Sequence, residues 1–311
     1  MEKSYVTNNH FRKVLNEVGD FLERGEEIPE DLFAEFLNEL KFSNLLVPGT
    51  FEGENFISEN IQLDNGAVVI PLYTDDVEYV KDDYVEDQYS PVPNDIQYYI
   101  DLLNENDGDG VVINPTTESF VIPIDMLNEF PLNSGIEFND NFGGEGYGPE
   151  QLKNIAENVT NDSLLNFIRN PSNEENFEGL MLELPKATLL NEFVSDENFE
   201  IYATNGIISL SDVESFTLST IFADDVEFGI LFTSKNAIID PVTVDTGNYY
   251  AYQITVLSEF IDYVLRQDMV GIVINPNLDE YFIPRHVLFN YSSVLDNPNF
   301  KQAVEYAFLE K

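Results

Sequence analysis

The chain has no cysteine and no tryptophan, only two histidines, and 14 lysines and arginines against 58 aspartates and glutamates. Without cysteine there are no disulfides, no thiolate metal sites and no cysteine nucleophile. The histidines, His10 and His286, stand in unrelated places, which leaves little material for a histidine metal cluster or a paired-histidine mechanism. No G-x-S-x-G elbow is present, no P-loop, and no G-x-G-x-x-G after a strand. No apolar run approaches the roughly 18–20 residues that span a bilayer. The N-terminus, MEKSYVTNNHFRKVLNEV, lacks the apolar region of a secretory signal. These absences predict a cytoplasmic protein with no catalytic residue, no cofactor and no metal ligand set.

What is abundant is acid. The formal net charge is −44, yet 43% of the residues are hydrophobic and 13% aromatic, ample for real cores. Such a field repels nucleic-acid phosphate and anionic lipid, whose contacts rest on lysine and arginine. Direct nucleic-acid or membrane binding is not expected, and a basic protein or a cation is the natural partner. The accompanying wealth of Asn, Ile, Phe and Tyr favours a genome-composition effect over a halophile's surface as the origin of the acidity.

At 311 residues there is room for two ordinary domains, and three blocks recur in the same order at a domain-sized period. Leu32–Leu46 (LFAEFLNELKFSNLL) resembles Phe177–Leu190 (FEGLMLELPKATLL), and Leu72–Tyr79 (LYTDDVEY) resembles Ile221–Phe228 (IFADDVEF). Val111–Pro115 (VVINP) resembles Ile272–Pro276 (IVINP), each after a glycine and each leading to a second short strand, SFVIP or EYFIP. The expected division is a first domain over 1–138, a Gly-rich linker over 139–150, and a second domain over 151–311.

Apolar spacing predicts helices over His10–Leu22, Glu30–Leu40 and Ile96–Asn104, and over Gln151–Arg169 as the mirror of the first. Strands are expected at Asn44–Val47, Phe56–Leu63 and Ala67–Tyr73, the last two joined at Asn65-Gly66. Asp75–Tyr79 reads as a helical turn, Gly110–Ile113 with Ser119–Ile122 as a hairpin, and Ile124–Phe130 as a short helix. Further β-like material is expected at Phe228–Val244, helical spacing through the aromatic run Tyr249–Tyr263, and a C-terminal helix near Asn299–Leu309. This mixed order predicts an α+β fold: two tandem copies of a small domain, each a mixed sheet packed by helices.

The order of a leading helix, an LLVP strand (Leu45–Pro48), a strand ending in LYTD (Leu72–Asp75), a G-V-V-I-N-P strand (Gly110–Pro115) and a closing FVIP strand (Phe120–Pro123) resembles the N-terminal domain of the SseB family, the enhanced serine sensitivity proteins. The second half is similar more loosely, with Ala223 where the first has Thr74. The resemblance implies a two-copy SseB-like protein and offers no established catalytic residues to carry over.

The candidate site residues are acidic. Asp75, Asp76 and Glu78 are echoed by Asp224, Asp225 and Glu227. They suit acid/base work or a hard cation. The same spacing also suits a capping box, with Asp75 accepting from first-turn amides and Glu78 reaching back. Asn114 and Asn275, each before a proline, either display a binding turn or form the turn itself. Asn104–Gly110 (NENDGDG) fails the EF-hand pattern, because a glycine at position six puts Glu105 first and Thr116 twelfth. Tyr249, Tyr250 and Tyr252 are candidates for a contact surface.

Two readings of function stay open. One is a protein-binding or adaptor module, within which an inhibitor or immunity role and nucleic-acid mimicry both fit. The other is a small-ligand or cation sensor, or an unrecognised enzyme, using Asp75, Asp76, Asp224 and Asp225 between the domains.

Overall fold

The computed structural model describes residues 6–52, 55–81, 90–106, 108–128, 146–170, 174–223, 226–238, 248–276, 278–291, 300 and 302–309. The fold is α+β, and the chain divides into two compact units, Met1–Ser134 and Gly135–Lys311.

The first unit opens with α1 (Asn9–Glu23) and α2 (Glu30–Phe42). Phe11, Val14, Leu15 and Val18 fall on one face of α1 at the spacing of a helix with one apolar stripe, and all are buried. β1 (Leu45–Glu52) follows, then β2 (Asn55–Ser58), β3 (Ile61–Gln62), β4 (Val68–Leu72), α3 (Asp76–Lys81) and β5 (Ser90–Asn94). The unit closes with α4 (Ile96–Glu105), β6 (Gly110–Ile113), β7 (Phe120–Pro123) and α5 (Ile124–Asn128). Its main sheet runs β3-β4-β6-β7, in which β4 and β6 are parallel and the outer pairs antiparallel. A second sheet, β2-β1-β5, is antiparallel and is stitched to the first by Leu46 and Tyr73, which exchange both backbone hydrogen bonds. Ile70, Leu72, Val111, Ile113 and Ile122 of the main sheet share one core with the buried faces of α1, α2 and α4.

The second unit begins with α6 (Pro149–Asn158), α7 (Asp162–Ile168) and α8 (Glu174–Glu183). The single predicted helix over Gln151–Arg169 is therefore two, broken where Asn161 takes a left-handed φ of 46°. Next come β8 (Leu190–Ser195), β9 (Ile207–Ser209), β10 (Thr217–Leu218), β11 (Thr220–Ala223) and β12 (Val226–Leu231). β13 (Tyr249–Ile254), α9 (Leu257–Arg266), β14 (Gly271–Ile274), β15 (Tyr281–Pro284), α10 (Arg285–Leu288) and β16 (Tyr306–Leu309) complete it. The sheet β11-β12-β14-β15 has the strand order and directions of β3-β4-β6-β7. Leu190 and Phe232 exchange the same pair of backbone bonds as Leu46 and Tyr73. Gly110 and Gly271 fill the same place as well, since a Cβ on either would lie 2.3 Å from a carbonyl oxygen of the neighbouring strand, that of Ile122 or Ile283.

Several expectations are corrected. The C-terminal helix near Asn299–Leu309 is instead a short 3-10 turn at Ala303–Glu305 and the strand β16, which lies between β13 and β9. The aromatic run over Tyr249–Tyr263 is no single helix: β13 ends at Ile254, α9 begins at Leu257, and Tyr252 is fully buried rather than available for contact. Of the predicted linker, residues 139–145 lie outside the described residues, and Pro149 and Glu150 are the first two residues of α6. β5 carries no strand signal in its local sequence. Its Pro91 and Pro93 forfeit ladder donors, which suits the edge of a sheet. β13 takes the matching place in the second unit, where β16 covers its other side.

Tyr99 of α4 is fully buried and donates from its hydroxyl to Leu45 O at 2.6 Å, tying helix to strand. Burial holds its phenol well above the ordinary tyrosine range and pushes Tyr79 and Tyr291 up to about 12. Below pH 10 both folded and unfolded tyrosines keep their protons, and the difference is silent. Between about 10 and about 12 the unfolded chain sheds protons that the folded chain retains, so stability falls as pH rises. Denaturant unfolding at stepped alkaline pH is expected to show this decline, and Tyr291→Phe to reduce it.

Candidate functional site

β4 and β6 end side by side, at Leu72 and Ile113, and the chain leaves both strands toward the same end of the sheet. In sheets with parallel strands this carboxyl end is where sites are commonly built. Here it is closed by a buried amide. Asn114 has a left-handed φ of 46°, a conformation asparagine tolerates better than most residues, and is 1% exposed. Its Oδ1 accepts from the Thr74 backbone N–H at 3.0 Å, and its Nδ2 donates to Thr74 Oγ1 at 3.0 Å. Asn275 repeats the arrangement with φ 49°, accepting from Thr233 N at 2.9 Å and donating to Thr233 Oγ1 at 2.9 Å. A third residue completes each knot. Asn8, before α1, donates to Thr74 O and Asn44 O at 2.7 and 2.8 Å, and Asn161, before α7, donates to Thr233 O and Thr188 O at 2.7 and 2.6 Å.

This geometry overturns the idea of Asn114 and Asn275 as displayed binding turns: both point inward. It also corrects the alignment of the halves. The partner of Thr74 is Thr233, so Leu72-Tyr73-Thr74 matches Leu231-Phe232-Thr233 and not the segment containing Ala223. The described residues of the acidic block Ile221–Phe228, 221–223 and 226–228, pair antiparallel on β11 and β12 instead of entering a helix. Asp224 and Asp225 lie outside the described residues, between Ala223 and Val226. Glu227 sits on β12 and accepts from Thr220 Oγ1 at 2.6 Å. It belongs to the start of β12, the opposite end from its supposed counterpart.

The acids of the first unit do gather. Asp75 Oδ1 accepts from the backbone N–H groups of Val77 and Glu78 at 2.8 and 2.9 Å, capping α3. Its Oδ2 meets Arg12 Nη1 at 2.9 Å. Glu78 does not reach back as a capping box requires. Only 1% exposed, its carboxylate takes Arg12 Nη2 at 2.9 Å, Lys81 Nζ at 2.7 Å and Thr117 Oγ1 at 2.9 Å. Glu118 approaches Arg12 at 4.0 Å. The guanidinium thus bridges α1, α3 and the loop after β6, and on α3 Asp76 is half-buried while Val77 and Val80 are exposed. Arg12 and Thr117 drew no attention in the sequence, because they reach Glu78 across 66 and 39 residues of chain, whereas Lys81 pairs with Glu78 at a local i,i+3 spacing.

The corresponding end of the second unit is chemically different. Ser234 follows Thr233 without a side-chain cap, and Lys235 lies 5.1 Å above the Tyr252 ring. Asp279, in the loop after β14, pairs with Arg169 at 2.6 Å. Among the described residues no group of three histidine, aspartate or glutamate side chains is arranged to hold a metal. Among them, too, no helix is long and apolar enough to cross a membrane. Compared with known proteins, the chain matches no family model, and neither a curated protein nor a solved structure matches it significantly.

Two consequences are measurable. Asp75→Ala removes a cap and one arm of the Arg12 bridge and is expected to cost about 1–2 kcal/mol, whereas Asp76→Ala is expected to stay within about 0.5 kcal/mol, both read by denaturant unfolding. Replacing Asn114 by Gly leaves the buried Thr74 N–H without its acceptor and is expected to cost about 1–3 kcal/mol. Asn114→Ala, which also disfavours the left-handed backbone, is expected to lose about 1–2 kcal/mol more in the same assay.

Proposed function

We propose that the chain is a non-catalytic, acidic protein-binding module of the SseB-like type, its two units divergent copies of one domain, acting in the cytoplasm on a basic protein partner. The observation that carries this reading is the state of the acids at the end of β4 and β6. Asp75 and Glu78 are already bonded to Arg12, Lys81, Thr117 and the first turn of α3, Glu78 fully and Asp75 largely buried, so they fix α3 and the surface it presents from beneath and are not themselves set apart for acid/base work. On that surface Val77 and Val80, 60% and 81% exposed, stand next to Asp76. Apolar side chains rimmed by fixed charge suit a protein partner. A chain at −44 steers a basic one toward it and repels nucleic acid.

The test is capture of proteins from a lysate of the source cell on the immobilised full chain at low and high salt, repeated with Asp76→Lys and Val80→Asp. The expected result is one basic protein held in fixed stoichiometry, released as salt rises, and weakened by both substitutions while the unfolding midpoint stays put. A heterogeneous basic set that both variants retain equally would count against the module.

A further inference from the structure

The sequence contains two Asn-Gly pairs, Asn65-Gly66 and Asn205-Gly206, and the structure holds them very differently. We infer that Asn65 is a site of spontaneous succinimide formation in the native protein, converting to isoaspartate and aspartate, and that Asn205 is protected. In this reaction hydroxide removes the Gly66 amide proton and the nitrogen attacks Asn65 Cγ. A C–N bond forms to the backbone, and the side-chain amide departs as ammonia. Water then opens the five-membered imide at either carbonyl. One opening gives aspartate, the other a β-linked isoaspartate with an extra methylene in the chain.

Three features favour this at Asn65. Residues 64–66 are exposed and form the tip of the five-residue connection between β3 and β4, closed by Gly66 N to Leu63 O at 2.8 Å and Leu63 N to Ala67 O at 2.9 Å. Gly66, at φ +90°, has no side chain and nothing lies near where a Cβ would be, so only its own bond to Leu63 O has to open before its nitrogen can turn toward Asn65 Cγ. The Asn65 Oδ1 accepts from the Ala67 N–H at 3.0 Å, a bond that polarises the carbonyl under attack and strengthens as that oxygen gains charge. The loop is anchored by a ladder of only two residue pairs, Ile61 with Val69 and Gln62 with Val68, so the rotation that frees the Gly66 nitrogen disturbs little.

Asn205 sits in a two-residue hairpin with φ 55° at Asn205 and 73° at Gly206, closed by bonds of 2.8 and 3.0 Å between Thr204 and Ile207. The Asn205 carbonyl accepts from Lys153 Nζ, and the Gly206 carbonyl accepts from Leu309 N at 3.1 Å. The hairpin leads into β9, the edge strand of a five-stranded sheet, which pairs with β16 along Ile207–Ser209, so its backbone is tied to the sheet directly beyond the turn. Conversion at Asn65 adds one negative charge, and isoaspartate lengthens the loop and loosens the pairing of β3 with β4.

The experiment incubates the full chain at mildly alkaline pH, native and in denaturant, and follows each Asn-Gly peptide by its amide-to-acid mass gain and by labelling with isoaspartyl methyltransferase. In the native protein Asn65 is expected to react about tenfold faster than Asn205, the ratio given by about 1.4 kcal/mol of difference in opening. In denaturant the two rates are expected to converge, and Asn65→Gln is expected to abolish the early methyl label. Equal native rates, or Asn205 reacting first, would overturn the inference, as would a native Asn65 that stays intact while its denatured form reacts.

Discussion

A buried asparagine amide joins the two parallel strands at the carboxyl end of each sheet, and the arrangement around both sites follows from satisfying it. Its carbonyl accepts the N–H of a threonine on the neighbouring strand's exit, and its amide nitrogen donates to that residue's hydroxyl. In a site that is 1% or less exposed, either group left unmade would cost about 1–3 kcal/mol. Fixing the threonine also fixes what comes next: Asp75 and α3 in one unit, Ser234 and a 3-10 turn in the other. A second asparagine, directly before α1 in one unit and α7 in the other, bonds the same threonine's carbonyl and ties the start of that helix to the strand exit.

On this common frame the units carry different surfaces. Arg12 lies one helical turn beyond Asn8, within reach of Asp75 and Glu78, so the first unit's strand ends bear a bridged acidic cluster. α7 is shorter than α1, and its cation, Arg169, follows the helix to meet Asp279. Glu227, the described acid of the second unit's motif, falls at the start of β12, the opposite end of its sheet. An account that treats DDVE as one site used twice therefore fails on topology, before any chemistry is considered.

The helices α1, α2, α4 and the two hairpins β6–β7 and β14–β15 were legible because one apolar face, or one glycine and one turn, specifies each. The pairing of the halves was legible at Leu46 with Leu190, and at Asn114 with Asn275, but misregistered in between. Identity of the four residues Asp-Asp-Val-Glu outweighed the shorter Leu-Tyr-Thr and Leu-Phe-Thr. The better signal was distance along the chain, since each threonine precedes its asparagine by 40 or 42 residues. β5 and β13, which occupy matching places, were hidden by two prolines in one case and by helix-like aromatic spacing in the other. β16 was read as helix because its strand character comes from lying between β13 and β9, a tertiary fact with no local trace. Arg12 and Thr117 were illegible for the same reason: only the fold brings them to Glu78.

The central claim is that the asparagine–threonine bonds hold each unit together rather than decorate a turn. The direct measurement is native-state hydrogen exchange at the Thr74 and Thr233 amides across low concentrations of denaturant. The account predicts that both exchange only through opening of their whole unit, with the denaturant dependence of global unfolding. Fast, denaturant-independent exchange at either amide would show a locally fraying turn and contradict it.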